Sequence, residues 1–169
     1  MKFTVSNMKF EFPNETCWEI DGSKVYDTIR NKGVKMADFV VLRNDDKLFV
    51  VEAKSSAPHF GDAKRFNEFI GDVYEKLTNA LTLVVAMHLE RYPKHLGSLP
   101  PGLQHLKISK VKFYLILVVN NEHIKDDGLG VLTDALRNKI LPVLRCWGGH
   151  ESYDVYVYDE CLAQRKLSC

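Results

Sequence analysis

The sequence lacks most of the features that mark exported, membrane-spanning or zinc-clustered proteins. Its cysteines, Cys17, Cys146, Cys161 and Cys169, form no Cys-x-x-Cys pair, and no histidine cluster has the spacing of zinc ligands. The longest apolar stretch, FYLILVV at 113–119, is far too short to span a bilayer. The N-terminal stretch MKFTVSNMKFEF lacks the apolar core of a signal peptide. These absences predict free thiols in a reducing, cytoplasmic compartment and no membrane partner.

An excess of charge of either sign is also missing. The 23 Lys and Arg residues and 22 Asp and Glu residues leave a net charge of +1, so the protein is not a polycation. If it binds nucleic acid, its basic groups must be placed locally. The length of 169 residues, with 46% hydrophobic and 27% charged residues, predicts a single domain over 1–169 with its own core.

Hydrophobic periodicity predicts a mixed α/β domain with a central sheet flanked by helices. The link from the second strand of a hairpin, through a long helix, to a later strand has the length of a crossover between parallel strands. The predicted elements are a small hairpin at 2–12, strands at 35–43 and 47–54, a helix at about 62–91, an irregular loop at 92–102, a strand at 110–120, a helix at 131–140 broken near Pro142, and a strand at 153–159.

Residues 15–33 support two interpretations. Ser23 can cap a helix that ends at Gly33. Alternatively, 24–30 forms a strand and the NKG sequence at 31–33 forms a turn. The β-formers in 24–30 favour the strand.

The hairpin at 35–54 places two acids opposite each other. If Asn44 to Asp46 form the loop, Arg43 pairs with Lys47, and the same register sets Asp38 opposite Glu52. Like charges directly opposite each other are destabilising, and the apolar neighbours indicate that the pair is partly buried.

Three arrangements can relieve this repulsion. One carboxyl group can keep its proton through a raised pKa. Lys54, which shares a strand face with Glu52, can neutralise part of the charge, as an ordinary salt bridge at a strand end would. A divalent cation can bind between Asp38 and Glu52, with the backbone carbonyl of Ala53 as a further oxygen ligand, and Mg²⁺ or Mn²⁺ suits such a set. With Lys54 beside the attacking water, the third arrangement supports phosphodiester hydrolysis.

The stretch ADFVVLRNDDKLFVVEAK, 37–54, resembles the core of the PD-(D/E)XK nuclease superfamily, which has the restriction-endonuclease-like fold. Asp38 matches the first acid of the motif, and Glu52-Ala53-Lys54 match its acid-x-Lys triplet. The order of elements over roughly 15–120 is also similar, which makes 121–169 a C-terminal elaboration with a helix and a strand. The chain departs from the motif at Ala37, where proline is common.

The resemblance implies a Mg²⁺-dependent (or Mn²⁺-dependent) nuclease acting on DNA more readily than on RNA. Asp38, Glu52 and Lys54 would be catalytic, and Asp38, Glu52 and the Ala53 carbonyl would bind the metal. An acid from the family's first helix often completes the site, and Glu19 is the favoured candidate here. The chain could act as a homodimer or within a larger protein complex.

Basic residues in two regions are candidates for contacts with the nucleic-acid backbone. One group opens the long helix on the side nearest the motif, and the other lies in the basic stretch 91–112, which contains no acid. The alternative function is a catalytically inactive module of the same fold that binds nucleic acid or protein. The candidate residues are Lys64, Arg65, Lys94, Lys107 and Lys110.

Overall fold

A computed structural model describes residues 1–120, 126–146 and 154–167. It is an α/β structure with a five-stranded mixed sheet flanked by helices, as the sequence predicts. The strands are β1 (Lys2–Val5), β2 (Met8–Glu11), β3 (Cys17–Glu19), β4 (Phe39–Arg43), β5 (Lys47–Lys54), β6 (Lys112–Val119) and β7 (Val155–Asp159). The α-helices are α1 (Lys24–Asp27), α2 (Ala63–His88), α3 (Pro101–Gln104), α4 (Asp126–Cys146) and α5 (Glu160–Leu167).

The main sheet has the strand order β3-β4-β5-β6-β7. The pairs β3–β4 and β4–β5 are antiparallel, whereas β5–β6 and β6–β7 are parallel. The long helix α2 makes the crossover from β5 to β6, which confirms the predicted parallel connection. The strands β1 and β2 form a separate antiparallel hairpin, also as predicted.

Each face of the main sheet has its own hydrophobic cluster, because alternate residues of a strand point to opposite sides. One face, which includes Val50 and Leu117, packs against α2 and α4. The other face, which includes Phe49 and Val51, packs against the β1–β2 hairpin and α5. The even-numbered residues of β4 and β5 therefore belong to the face that α2 covers.

The prediction of a strand at 24–30 is wrong, and the helical alternative is correct in part, because α1 ends at Asp27 and a separate 3-10 helix, Arg30–Lys32, leads to Gly33. Ser23 caps α1, where its side chain accepts a hydrogen bond from the Tyr26 amide, and Gly33 has a left-handed φ of 77°. Three residues that the sequence analysis left unassigned, Cys17–Glu19, form β3 and take the place beside β4. Because that edge of β4 is already paired, the β-formers of 24–30 have no partner strand there.

The predicted break near Pro142 is also wrong, since α4 continues through this proline to Cys146. Pro142 is exposed, so the carbonyl that loses its helical hydrogen bond can face water, and the buried residues Ile140 and Leu144 hold both sides of the helix. The sequence analysis did not predict α5, which follows β7 directly.

Two further predictions concerned the cysteines and membrane-spanning segments. Cys17, Cys146 and Cys161 carry free thiols, whereas Cys169 lies outside the described residues. Of the helices in 1–120, 126–146 and 154–167, none is long and apolar enough to cross a membrane.

Candidate active site

Asp38 and Glu52 come together at the carboxyl end of β5, and the predicted hairpin register is confirmed as far as the pair Phe39 and Val51. Just beyond this last pair, the amide of Asp38 donates to the Val51 carbonyl at 3.1 Å, and the Asp38 carboxyl lies beside the Glu52 side chain. The Glu52 side chain is 1% exposed, whereas Asp38 is partly exposed. The pair thus has a buried member and a member that reaches solvent.

The two oxygens of the Glu52 carboxylate have very different surroundings. Oε1 accepts from the ammonium groups of Lys54, at 3.1 Å, and Lys76, at 2.8 Å. Oε2 is buried and has no hydrogen-bond donor among the described residues. The carboxyl of Asp38, just before β4, lies within hydrogen-bonding range of the Glu52 side chain. A positive species, either a proton or a cation, is needed between these acids.

The pKa of Asp38 reports this conflict directly. Burial raises it from 3.8 to about 7, and the negative charge of Glu52 adds to the increase. The Ala53 amide, which donates to Asp38 Oδ2 at 2.7 Å, acts in the opposite direction but does not cancel it. Near neutral pH, Asp38 therefore holds a proton for a large fraction of the time, and a bound cation would replace that proton.

Lys54 is held as an ammonium group between two carboxylates. Its Nζ lies 3.1 Å from Glu52 Oε1 and 2.9 Å from Asp72 Oδ2. Burial acts to lower its pKa, but the hydrogen bonds to Asp72 and Glu52 outweigh burial and raise the pKa above its usual value. Lys54 is therefore suited to stabilising negative charge, and it is not suited to accepting a proton as a general base.

The helix α2 supplies two groups that the sequence analysis did not single out, Asp72 and Lys76. The buried stripe that includes Val73 and Leu77 fixes the rotation of α2 against the sheet. Asp72 and Lys76 are four residues apart on α2, so they share one side of the helix and reach Lys54 and Glu52, respectively. In the sequence, these two residues could be recognised only as an acid and a base four residues apart beside an apolar stripe. Ordinary solvent-exposed helix faces carry the same pattern, so it does not indicate a functional site.

The ion-pair network extends outward from Asp72 to solvent. Lys35 lies 2.9 Å from Asp72 Oδ1 and 3.2 Å from Glu75 Oε2. Burial acts to raise the pKa of Asp72, but its hydrogen bonds to Lys54 and Lys35 lower it overall. Asp72 is thus an anion that fixes Lys54. The unresolved repulsion between carboxyl groups is therefore confined to Asp38 and Glu52.

Two other predicted metal ligands have defined surroundings. The Ala53 carbonyl accepts a hydrogen bond of 2.8 Å from the hydroxyl of Ser6, in the turn of the β1–β2 hairpin. Glu19 pairs with Phe39 across β3 and β4, so it lies on the opposite face of the sheet from Asp38 and Glu52. Within the described ranges, no group of three or more His, Cys, Asp or Glu side chains is arranged to hold a metal ion.

The predicted nucleic-acid contacts divide between the two ends of the sheet. Lys64 and Arg65 are exposed in the first turn of α2, about 12 Å along the helix axis from Asp72. The exposed residues Lys94, Lys107 and Lys110 lie in the segment that leads from α2 into the amino end of β6. Since β5 and β6 are parallel, this segment is at the far end of the sheet from Glu52.

The site therefore joins two opposed acids, one fixed ammonium group and a second lysine from the crossover helix. Its donor set consists of oxygen atoms, which suits hard divalent cations better than soft metals. Comparison of the chain with protein-family models, with curated proteins and with solved structures gives no match. The function of the site is therefore inferred from its own residues.

Proposed function

We propose that this protein is a metal-dependent nuclease that hydrolyses phosphodiester bonds, with DNA as its substrate. The observation that carries the proposal is the buried Glu52 carboxylate, which lies beside the Asp38 carboxyl and whose Oε2 has no donor among the described residues. Two acids in this position repel each other unless a proton or a cation lies between them. A divalent cation satisfies both carboxylates at once.

The residues present fit a hard divalent cation. Asp38 and Glu52 would hold Mg²⁺ or Mn²⁺, and the Ala53 carbonyl, whose second lone pair remains after the bond from Ser6, is a further candidate. A bound ion of this kind supplies Lewis acidity toward a phosphate oxygen and lowers the pKa of a coordinated water. Glu19 is not a candidate ligand in this arrangement because it lies on the other face of the sheet.

The lysines of the site have separate roles in the proposal. Lys54, an ammonium group whose side chain is 23% exposed, can reach a phosphate and stabilise the negative charge that develops during hydrolysis. Asp72 positions Lys54 through the 2.9 Å ion pair. Lys76 fixes Glu52 by its 2.8 Å contact with Oε1. Lys64 and Arg65 lie at the same end of the fold and can contact the substrate backbone.

The proposal includes a restriction-endonuclease-like core over roughly 15–120. The antiparallel order β3-β4-β5, the crossover helix α2 and the parallel strand β6 support it. The region before β3 departs from that pattern, because the β1–β2 hairpin stands where the family has a helix. The short helix α1 lies between β3 and β4 instead.

A second candidate is a module of the same architecture that binds nucleic acid or protein without catalysis. The contact of Lys76 with Glu52 favours it, since two ammonium groups on Oε1 can balance the charge of Glu52 without a metal ion. Metal binding separates the two candidates, because the module needs none.

The test is calorimetric titration of the protein with Mg²⁺ and Mn²⁺, followed by incubation with plasmid and single-stranded DNA. The variant Glu52→Gln keeps the shape of the side chain but removes one oxygen ligand and the negative charge. We expect saturable Mn²⁺ binding and DNA cutting in the wild type, and loss of both in the variant. Asp45→Asn, in the exposed turn between β4 and β5, is the matched control for removal of one carboxylate.

Failure of the wild-type protein to bind either ion would overturn the metal-dependent proposal and favour the binding module. Cutting that persists in Glu52→Gln would show that the activity belongs to another site or to a contaminant. Circular dichroism of each variant establishes that the fold is retained before the activities are compared.

A further inference from the structure

A second set of functional groups lies on the other face of the sheet, at the opposite end of β5 from Glu52. Aromatic rings from three neighbouring strands form a continuous row there. Phe49 and Tyr114 have ring centroids 4.8 Å apart with an interplanar angle of 12°, and Tyr114 and Tyr156 are 6.4 Å apart at 22°. Tyr158 continues the row along β7, 5.6 Å from Tyr156.

The rings stand up from the sheet and stack against each other, because their separations are close to the distance between strands and their planes are nearly parallel. Their edges, and the hydroxyl groups of the tyrosines, therefore face away from the backbone. Tyr114 and Tyr156 are partly exposed. Burial raises the pKa of Tyr156 above its usual value, so its hydroxyl keeps its proton and remains a donor.

Cations surround this row of rings. The guanidinium of Arg43 lies 6.0 Å from the ring centre of Phe49, and the Lys112 ammonium lies 5.5 Å from that of Tyr114. The guanidinium of Arg137, from α4, lies 5.7 Å from the ring centre of Tyr156. Each cation is at least partly exposed, and the Lys112 side chain is 41% exposed. Lys112 also pairs with the buried Asp154 at 3.4 Å, so three cations are set against this one carboxylate.

Lys47 extends the same surface. It lies beside Lys112 at the amino ends of the parallel strands β5 and β6. Asp154, an acid next to this row, is buried and lies 3.4 Å from Lys112, while Asp45 and Asp46 lie in the turn that precedes Lys47.

We propose that this surface, formed by Arg43, Lys47, Lys112, Tyr114, Arg137 and Tyr156, binds the phosphate backbone of a nucleic acid. Arg and Lys side chains together with Tyr hydroxyls are the groups that contact phosphate oxygens in nucleic-acid complexes. Edge-on rings offer hydroxyl donors and no open ring face for a stacked base, so the surface recognises the backbone rather than base sequence.

This surface is separate from the candidate active site. Glu52 and Lys54 are even-numbered residues of β5 on the face that α2 covers, whereas Phe49 is on the opposite face. Lys47 and Lys54 are also separated by about 23 Å along the strand. The inference does not rest on the proposed hydrolysis, because binding can be measured without divalent metal.

The test measures fluorescence anisotropy of a short, labelled single-stranded DNA in EDTA. The double variant Tyr114→Phe with Tyr156→Phe removes two hydroxyls and keeps the stacked rings. We expect its Kd to rise about fivefold or more. The variant Lys47→Gln should also bind more weakly, and the slope of log K against log salt should fall in magnitude by about 1.

The control variant Lys24→Gln removes one exposed positive charge from α1, at the other end of the sheet. It should leave both the Kd and the salt slope close to the wild-type values. The melting temperature of every variant is compared with that of the wild type, and the phenylalanine substitutions are chosen because they keep the packing of the ring row.

Three results would overturn the proposal. The first is an unchanged Kd in the double phenylalanine variant. The second is a loss of DNA affinity in Lys24→Gln as large as the loss in Lys47→Gln, which would mean that overall charge alone governs binding. The third is displacement of the DNA by polyglutamate as efficiently as by unlabelled DNA of equal charge, which would indicate an acidic-protein surface instead.

Discussion

The cationic side chains at the two ends of β5 contact different kinds of groups. At the carboxyl end, the ammonium groups of Lys54 and Lys76 contact the carboxylate of Glu52 at 3.1 and 2.8 Å. At the amino end, Lys112 and Arg43 lie over aromatic rings. Charge at the first end is balanced by a buried carboxylate, whereas at the second end the cations contact ring faces and Lys112 also pairs with Asp154 at 3.4 Å.

This difference decides which conditions each end responds to. The carboxyl end contains a titratable conflict, since the pKa of Asp38 is raised to about 7, so its energetics depend on pH and on divalent cations. The amino end depends on ring stacking, which carries no net charge and is insensitive to salt. Its affinity for a polyanion would still depend strongly on salt.

The largest expected effect is on catalysis at the carboxyl end. Under the proposed function, Lys54→Met removes the ammonium group that stabilises developing charge, so the rate of DNA cutting should fall about a hundredfold to a thousandfold. Mn²⁺ affinity, measured by calorimetry, should remain similar or increase, because the metal-binding acids are unchanged. The control is Lys35→Met, which removes an exposed lysine that contacts Asp72 but not Glu52. Equal losses in both variants would contradict a direct role for Lys54.

The next effect is on stability. Lys76→Met removes one of two ammonium partners from a carboxylate that is 1% exposed, and we expect the free energy of unfolding to fall by about 2 kcal/mol. Urea denaturation in EDTA measures this change. Lys35→Met, at an exposed ion pair, should leave the transition midpoint close to that of the wild type. If Lys76→Met has the same free energy of unfolding as the wild type, Lys54 alone is enough to balance the negative charge of Glu52.

A smaller effect, with a defined pH dependence, is expected for Asp38→Asn. The folded pKa of about 7 exceeds the unfolded value of 3.8, so the stability from protonated Asp38 is fully present below about pH 4 and is lost as the pH rises through 7. The asparagine amide stays neutral and can donate to Glu52 Oε2. At about pH 8 in EDTA, the variant should therefore be more stable than the wild type by about 1–2 kcal/mol.

The same comparison at about pH 5 provides the internal check, because the stability difference should shrink there. Asp45→Asn makes the same chemical change in an exposed turn and serves as the control. A wild-type protein more stable than Asp38→Asn at pH 8 would show that the ionised Asp38 is favourably paired in the metal-free protein.

The smallest effect is expected at the amino end. Tyr114→Leu removes ring contacts with Phe49 and Tyr156 and should lower the free energy of unfolding by about 1 kcal/mol. Urea denaturation at low and high NaCl should give the same loss, since no ion pair is broken. Tyr114→Phe keeps the ring and should retain the wild-type stability. A loss that depends on salt would mean that the contact with Lys112 contributes more than the stacking.

The hairpin was the part of the site that local sequence could predict. With Asn44 to Asp46 as the loop, alternation along β4 and β5 predicts Asp38 opposite Glu52, and the structure confirms the register as far as Phe39 and Val51. A strand register is determined by its turn and its apolar pattern, and both are local. The metal ion, the nuclease activity and the family resemblance are still predictions.

The other half of the site depends on contacts between distant segments. Asp72 and Lys76 reach Lys54 and Glu52 only because α2 packs over this face of the sheet at one rotation. The pairing of Cys17–Glu19 with β4, which carries Glu19 to the far face, is likewise a tertiary event. At Ser23, local signals for a cap and for a strand conflicted, and the occupied edge of β4 decided in favour of the helix.

By itself, the sequence determined the α/β architecture, the β5–α2–β6 crossover and the meeting of two acids, because periodicity and turn length act over short distances. The tertiary structure alone decided the charge balance. It set two lysines on one oxygen of Glu52, left the other oxygen without a donor among the described residues, and brought rings from three strands into one row. Burial and the distances between remote side chains determine these energies, and neither is a property of a local stretch of sequence.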